Sequence, residues 1–511
     1  MSNSLGLIKN IVVLMLENRS FDTILGTLYP YSAQFEGLKL DGSMANTYKG
    51  GTYPVTNISS NPNPFATPPI DPGESFLDMN LQIFNTTDPA AEGATANMAG
   101  FLNDWMAMPG EYPEIPTGKE CLWAPSWPEL PRKNPENLEP ASPGDIMFYY
   151  TPSQLPVTSE LAQWFGVSDA WFGSCPTQTY PNRFFLNCAT SGGYVDDVDY
   201  LCNLEMFPKL PSIFELLDGD GGYKHENWKV YFHDFPVSAL IDYVWKSGEG
   251  MVCSFDTSDY GEFSLLPTFA TDVKNNTLPK YSFIEPRYGG LPFSHLPPND
   301  NHPPFDVRYG EVLLGTVYNL LRGSCYWPQT LLIVTYDEHG GCFDHVIPPP
   351  AAEPRGTELR NWHPSGFTFN RYGPRVPAIL VSPYIRAGSI VRPAGFSYLQ
   401  GNGTSTTNGK TPFDHTSVIR TIVECFHISN GEAYLTNRDK QAPSLADALS
   451  LDTNYMNHGP SSVELPNLPV GPTTTKARSS HLADIYVAAK ARMGAAKFGH
   501  HLAVWCRRNQ E

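Results

Sequence analysis

The chain reads as an α/β sandwich, with a central, mostly parallel sheet covered by helices on both faces. Three observations predict it. Short, unbroken apolar runs rich in β-branched residues recur along the chain, as expected of strands buried on both faces. Stretches of helical character fall between them, the alternation of a layered α/β domain. Hydrophobic residues make up 41% and aromatics 13% of the 511 residues, ample for one large core.

The elements follow in order. Residues 11–16 form an apolar run too short to span a membrane and without a signal-peptide layout. Residues 39–72 and 110–142 are rich in Pro, Gly and Asn, carry no period, and read as insertions or lids. Helices are expected at 159–165, 212–217, 306–321 and 416–426, and further parallel strands at 230–232, 281–284, 331–335 and 378–381. A last helix at 479–508, broken near Gly494 and Gly499, reads as a packing helix. The division that results is one large domain over 1–450 and an extension over 451–511.

Composition excludes some functions. Lys and Arg number 34 against 52 Asp and Glu, a net charge of −18 and a pI near 5.1. Such a chain has no general basic surface with which to hold nucleic acid or an anionic membrane, so no nucleic-acid partner is expected. Any phosphate-bearing ligand must be held locally, with a metal's help. Nine cysteines without a C-x-x-C pattern read as mostly reduced, buried thiols, with a few disulfides left open. The expected protein is soluble and by default cytoplasmic, or secreted or periplasmic if a signal has been removed.

The strand ends carry the chemistry. The first strand runs into Glu17-Asn18, the run at 230–232 into His233-Asp234, and that at 331–335 through Tyr336 into Asp337-Glu338-His339-Gly340-Gly341. In open α/β sheets ligands bind beyond the carboxyl ends of parallel strands, so these side chains should gather on one rim. Glu17, Asn18, Asp337 and Glu338 supply hard oxygen ligands, and histidines follow nearby; that set suits Mg²⁺, Ca²⁺, Mn²⁺, Zn²⁺ or Fe. Adjacent carboxylates such as Asp337-Glu338 need a cation if buried, and Gly340-Gly341 allows close backbone approach or positive φ. A nucleophile candidate stands in Thr177-Gln178-Thr179-Tyr180-Pro181-Asn182-Arg183. Pro181 suits the first turn of a helix and Thr179 sits just ahead, near its cap, where orphan N–H groups favour phosphate oxygens. Taken alone, Thr179 reads as a plain N-cap.

Four motifs in consistent order, Glu17-Asn18-Arg19-Ser20-Phe21-Asp22, Thr179-x-Pro181-Asn182-Arg183, Asp300-Asn301-His302-Pro303 and Asp337-Glu338-His339-Gly340-Gly341-x-Phe343-Asp344-His345, resemble the phosphoesterase family. This is the family of phospholipases C and related acid phosphatases within the alkaline-phosphatase-like superfamily. Arg375-Val376-Pro377 and Asp414-His415-x-Ser417 extend the likeness. The resemblance implies an alkaline-phosphatase-like α/β/α sandwich with long loop insertions, a catalytic domain over 1–450, and hydrolysis of phosphoric esters, phospholipids among the candidate substrates, with one divalent metal ion. Glu17, Asn18, Thr179, Asp337 and Glu338 would bind the metal and Thr179 Oγ would form a phospho-Thr intermediate. His302, His345 and, with less support, His233 would contact the phosphoryl group or protonate the leaving alkoxide. Asn182, Arg183 and Glu74 would meet the substrate.

One position departs from the pattern. Many members read Asp-Pro-Gly-His where this chain has Asp71-Pro72-Gly73-Glu74, so an acid replaces a phosphate-contacting histidine. Glu74 would repel a phosphate dianion unless protonated, metal-bound or turned toward substrate hydroxyls. A sulfatase is disfavoured because Cys175-Pro176-Thr177 lacks the following Arg of that motif. The different-class alternative is a non-catalytic protein that binds metal or a phosphate ligand on the same fold. Preference between monoester and diester stays open.

Overall fold

A computed structural model describes residues 4–61, 63–107, 142–197, 209–219, 222–233, 236–247, 251–253, 267–288, 297–354, 366–401 and 403–468. Its centre is an eight-stranded sheet. In chain order the strands are β1 (Asn10–Leu16), β2 (Gly166–Ser168), β3 (Trp228–Phe232), β4 (Met251–Cys253), β5 (Tyr281–Ile284), β6 (Thr330–Tyr336), β7 (Ala378–Val381) and β8 (Ser389–Ile390). They lie in the order β8-β2-β7-β6-β1-β5-β3-β4. Every pairing is parallel except those of β7, which runs antiparallel to both β6 and β2.

The mostly parallel α/β architecture is thus as expected, with one correction: residues 378–381 do not form a parallel strand. A run such as Ala-Ile-Leu-Val, buried on both faces, looks the same in either direction, so its composition carries no polarity. Burial is complete in the middle of the sheet. Every residue of β1 and β6 is buried, and the six apolar side chains from Ile11 to Leu16 are 0–1% exposed. At roughly 1.5–3 kcal/mol for each large apolar side chain, this strand alone is a principal source of cohesion.

The helices that concern the site are α1 (Phe76–Phe84), α2 (Phe101–Ala107), α3 (Pro156–Trp164), α4 (Thr179–Cys188), α5 (Ile213–Asp218), α6 (Arg308–Arg322) and α7 (Thr416–Cys425). Local chemistry sets their starts. Ser212 caps α5, and Glu215 returns the bond to the Ser212 N–H in a capping box. Pro156 opens α3, whose N–H groups at Val157 and Thr158 donate to the carboxylate of Glu311 from α6, at 2.7 and 3.1 Å. Burial pushes Glu311 up to about 7 while those bonds pull the other way.

The first insertion is more ordered than its composition suggested. Ala45–Tyr48 and Gly51–Pro54 pair as an antiparallel hairpin, turned by Lys49 (φ 46°) and Gly50 (φ 81°). Two left-handed residues make the turn that matches strand twist, and no long period is needed to specify it. Residues of this region, with α1, α2 and Phe343, enclose a second apolar cluster including Met44, Ile83, Phe101, Trp105 and Met147. The second insertion lies outside the described residues up to 141, and so does the expected helix at 479–508. The described part of the C-terminal extension runs along α6: Asn319 Nδ2 donates to Val463 O at 3.0 Å, and Val463 N to Asn319 Oδ1 at 2.8 Å. Among the described residues no helix is long and apolar enough to cross a membrane. The described free cysteines are Cys175, Cys188, Cys342 and Cys425, all buried, and the exposed Cys325.

Candidate active site

The parallel register of β1 and β6 pairs Leu16 with Tyr336, so the next residues of both strands emerge side by side. These are Glu17-Asn18 and Asp337-Glu338. Asn18 takes φ 53°, a left-handed conformation that Asn tolerates better than most residues. The backbone of Gly340 (φ 62°) packs against it so closely that an added Cβ would lie 2.1 Å from Asn18 O. Gly341 has φ 60° and would place a Cβ 2.6 Å from Gly73 O. Both glycines serve positive φ and close approach, the two uses foreseen for them.

The nucleophile candidate arrives from α4. Thr179 is the first helical residue, with Gln178 at the N-cap, so it sits one position further in than its sequence suggested. Its Oγ1 donates to Asn18 Oδ1 at 3.4 Å, which joins the helix N-terminus to the end of β1. Asp197, which no motif singled out, accepts from Tyr180 N at 2.8 Å and donates its own N–H to Gln178 Oε1 at 3.0 Å. Burial pushes the Asp197 carboxyl well up, and its charge is felt at Glu17, Glu74 and Glu338.

Asn182 and Arg183, expected at the substrate, bond groups of the protein itself. Asn182 Nδ2 donates to the carbonyls of Thr177 (2.7 Å), Gln178 (3.1 Å) and Cys175 (3.2 Å), and Oδ1 accepts from Cys175 N at 3.1 Å. This amide laces the loop that delivers Thr179. Arg183, one helical turn after Thr179, donates through Nε to Asp337 Oδ2 at 2.9 Å and through Nη2 to Glu17 Oε1 at 3.2 Å. Two acids at the ends of adjacent strands need a buried counter-charge, and this guanidinium supplies one. Sequence could not distinguish an arginine aimed at substrate from one aimed at carboxylates.

On the other side of Asn18 stands Glu74, 1% exposed, whose Oε1 accepts from Asn18 Nδ2 at 2.7 Å. His302 Nε2 is 3.5 Å from the same oxygen and 3.8 Å from Asp71 Oδ1. The other ring nitrogen of His302 meets Pro303 O at 2.5 Å. Thr179, Asn18, Glu74 and His302 therefore form one chain of contacts. Glu338 Oε2 accepts from Gly340 N at 2.7 Å and lies 3.3 Å from His339 Nδ1. His339 Nε2 in turn meets Gln82 Oε1 of α1 at 2.7 Å, and burial holds this imidazole down to about 3.

The other expected histidines fall elsewhere. His345 was expected at the phosphoryl group, but its ring is committed: Nδ1 to Asp22 Oδ2 at 2.7 Å and Nε2 to Glu36 Oε1 at 3.2 Å. Burial opposes its charge, yet Asp22 and Glu36 outweigh that and push it to about 9. Arg375 completes this network by bonding Asp22 Oδ1 at 2.8 Å and Asp344 Oδ1 at 3.0 Å. His233 is buried just beyond β3, with β5 between that strand and β1. Ser174 Oγ donates to Asp414 Oδ2 at 2.9 Å.

Electrostatics favour a cation. Burial raises Glu17, Glu338 and Asp337 above the usual carboxylate range; Arg183 opposes this at Glu17 and Asp337, and Asp337 adds to it at Glu338. Glu17 Oε2 and Glu338 Oε1 are buried and have no hydrogen-bond partner among the described residues. Acceptor-only oxygens left bare in a dry interior fit a divalent ion. Among the described residues two sets of ligand atoms converge within 4.8 Å: Asp71, Glu74 and His302, and Asp22, Asp344 and His345. Glu17, Asp337 and Glu338 form no such tight set there. In the Asp22 set, Arg375 already supplies the positive charge.

Comparison with known proteins gives a consistent picture. The profile of the Phosphoesterase family matches residues 8–429. Non-specific phospholipase C6 of Arabidopsis thaliana is 32% identical over 457 residues, covering 87% of this chain and 72% of that protein. Phospholipase C B of Mycobacterium tuberculosis is 30% identical over 443 residues, covering 81% and 72%. Among solved structures, the lipoteichoic acid synthase LtaP from Listeria monocytogenes aligns with a TM-score of 0.34 and 14% identity, over 68% of this chain and 86% of that one.

Proposed function

The chain belongs to the phosphoesterase family, and from that membership we propose that it is a phospholipase C-type hydrolase of phosphoric esters with Thr179 as nucleophile. The observation that carries this reading is the meeting of the Thr179 hydroxyl with the amide of Asn18, beside three buried carboxylates at the ends of β1 and β6. The relatives named above are phospholipases C, so a phospholipid phosphodiester is the substrate class put forward.

In the proposed reaction Thr179 Oγ attacks phosphorus and its proton passes to water, which returns one to Thr179 at the end of the cycle. The bond from phosphorus to the ester oxygen breaks, leaving phospho-Thr179. The Thr179 N–H at the start of α4 would face the transferring phosphoryl oxygens, where the helix N-terminus favours negative charge, since the Tyr180 N–H is taken by Asp197 and Pro181 has none. His302, at the far end of the contact chain, protonates the departing alkoxide. Water then attacks phosphorus, the Thr179 Oγ–P bond breaks, and the threonine recovers its proton. A divalent cation (Ca, Mg, Mn, Zn or Fe) held by Glu17, Asn18, Thr179, Asp337 and Glu338 would neutralise phosphoryl oxygens and lower the hydroxyl's pKa. Asn182 and Arg183 keep the nucleophile and the acids in place, and Glu74 backs Asn18.

Thr179→Ala is expected to abolish release of phosphorylated head group from phosphatidylcholine vesicles while leaving the circular dichroism spectrum unchanged. Undiminished turnover by that variant would remove Thr179 from the role.

A further inference from the structure

Asn18 can face either way about its last side-chain torsion, and the two ends of its amide are chemically opposite: one accepts, the other donates. Thr179 Oγ1 lies 3.4 Å from Oδ1, and Glu74 Oε1 lies 2.7 Å from Nδ2. Both contacts are buried, so the orientation that serves one must also serve the other. A flipped amide would turn its carbonyl oxygen on the Glu74 carboxyl and its NH₂ on the nucleophile's side. We propose that Glu74 is a positioning residue. It holds Asn18 in the single orientation that presents Oδ1 to Thr179 and to the cation beside it.

The surroundings support this. Asn18 is fixed at its backbone by a left-handed φ and by the close approach of Gly340, which leaves the terminal amide as its main freedom. Glu74 in turn is steadied by His302 at 3.5 Å. It is carried on the segment just before α1, where Ser75 and Asp78 form a capping box. The same carboxyl thus links a ligand residue to the proposed acid, and a shift of either end reaches the other. The inference rests on the reading of Asn18 as a cation ligand beside Thr179. It does not require Glu74 to touch substrate.

The test separates the acceptor from the charge. Glu74→Gln and Glu74→Leu both remove the acid, and the side chains are similar in size, but only glutamine keeps an oxygen that Asn18 Nδ2 can bond. Each would be made in the Asn18 protein and in an Asn18→Gly background, since glycine accepts φ 53° without strain. Mn²⁺ affinity would be measured by titration calorimetry, with kcat and KM on a phosphodiester alongside. Outer-shell partners commonly change metal affinity or activity by about 10–100-fold. The Leu variant should therefore bind Mn²⁺ about tenfold more weakly than the Gln variant when residue 18 is Asn, and equally when it is Gly. Equal affinities with Asn18 present, or the same difference in both backgrounds, would overturn the proposal. Should the unmutated protein take up no divalent cation, the cation part of the function reading fails by itself. The same cycle read on kcat then still decides whether Glu74 acts through Asn18.

Discussion

At the scale of single residues, the site is organised by one cation of the protein's own. Arg183 is 1% exposed and ties Glu17 to Asp337 across the ends of two strands. Breaking a buried ion pair by removing one partner leaves uncompensated charge and costs about 3–5 kcal/mol. Arg183→Gln is expected to lower unfolding stability by that amount in urea titration, and an added divalent cation should restore part of it. An unchanged midpoint would mean that the acids are protonated and need no counter-charge. Glu17, Asn18, Asp337 and Glu338 were legible in the sequence because each directly follows a strand that could be recognised. Asp197 was not, because the acidic run Asp196-Asp197 follows no strand that could be recognised in the sequence. Arg183 and Asn182 were found, but their bonds to the acids and to the loop before α4 could not be read, since a motif names residues and says nothing about where they point.

At the scale of elements, what matters is how a strand hands over to a turn. β6 ends in two acids and then two glycines at positive φ, and the first packs directly on Asn18. Gly340→Ala would put a methyl 2.1 Å from Asn18 O, where either the turn or Asn18 must move. A misplacement of about 1 Å can cost on the order of 10²-fold in rate. That loss of kcat, with little change in overall fold, is the expected outcome, and a variant with normal kcat would show the turn to be pliable. The strands that carry site residues were readable from unbroken β-branched runs. β2, β4 and β8, with three, three and two residues, were not. Elements that short have no periodicity and exist only because a neighbour offers them bonds. The polarity of β7 was hidden for a different reason, because burial on both faces erases any sign of direction.

At the scale of the whole molecule, stability and the cation are linked through pH. Burial raises the carboxyls of Glu338 and Glu74 in the folded protein, with no arginine to offset it as Arg183 does at Glu17, so the folded state holds protons there that the unfolded chain has released. Stability then falls as pH rises from near the ordinary carboxylate value through the raised ones. A divalent ion bound among these groups replaces the protons and should cancel the decline. Thermal midpoints with and without EDTA are expected to differ little near pH 5 and to separate increasingly toward pH 8. Curves that run parallel over that range would count against a cation at this site. The net charge of −18 adds general self-repulsion, but that acts with or without the ion and cannot mimic the divergence.

The pairing of Asn10 with Thr330 at the middle of the sheet also has a consequence in time. β1 leaves the ribosome some three hundred residues before its partner β6. At about 5–20 residues per second, this wholly buried strand waits unpaired for on the order of tens of seconds. Tyr281, its neighbour on the other side, comes hardly sooner. Until then neither the core nor the site can close, since each takes one half from either end of that interval. The newborn chain therefore needs something to shelter Asn-Ile-Val-Val-Leu-Met-Leu from other strands like it. The demands of expression are thus written into the same register that brings Glu17 beside Asp337.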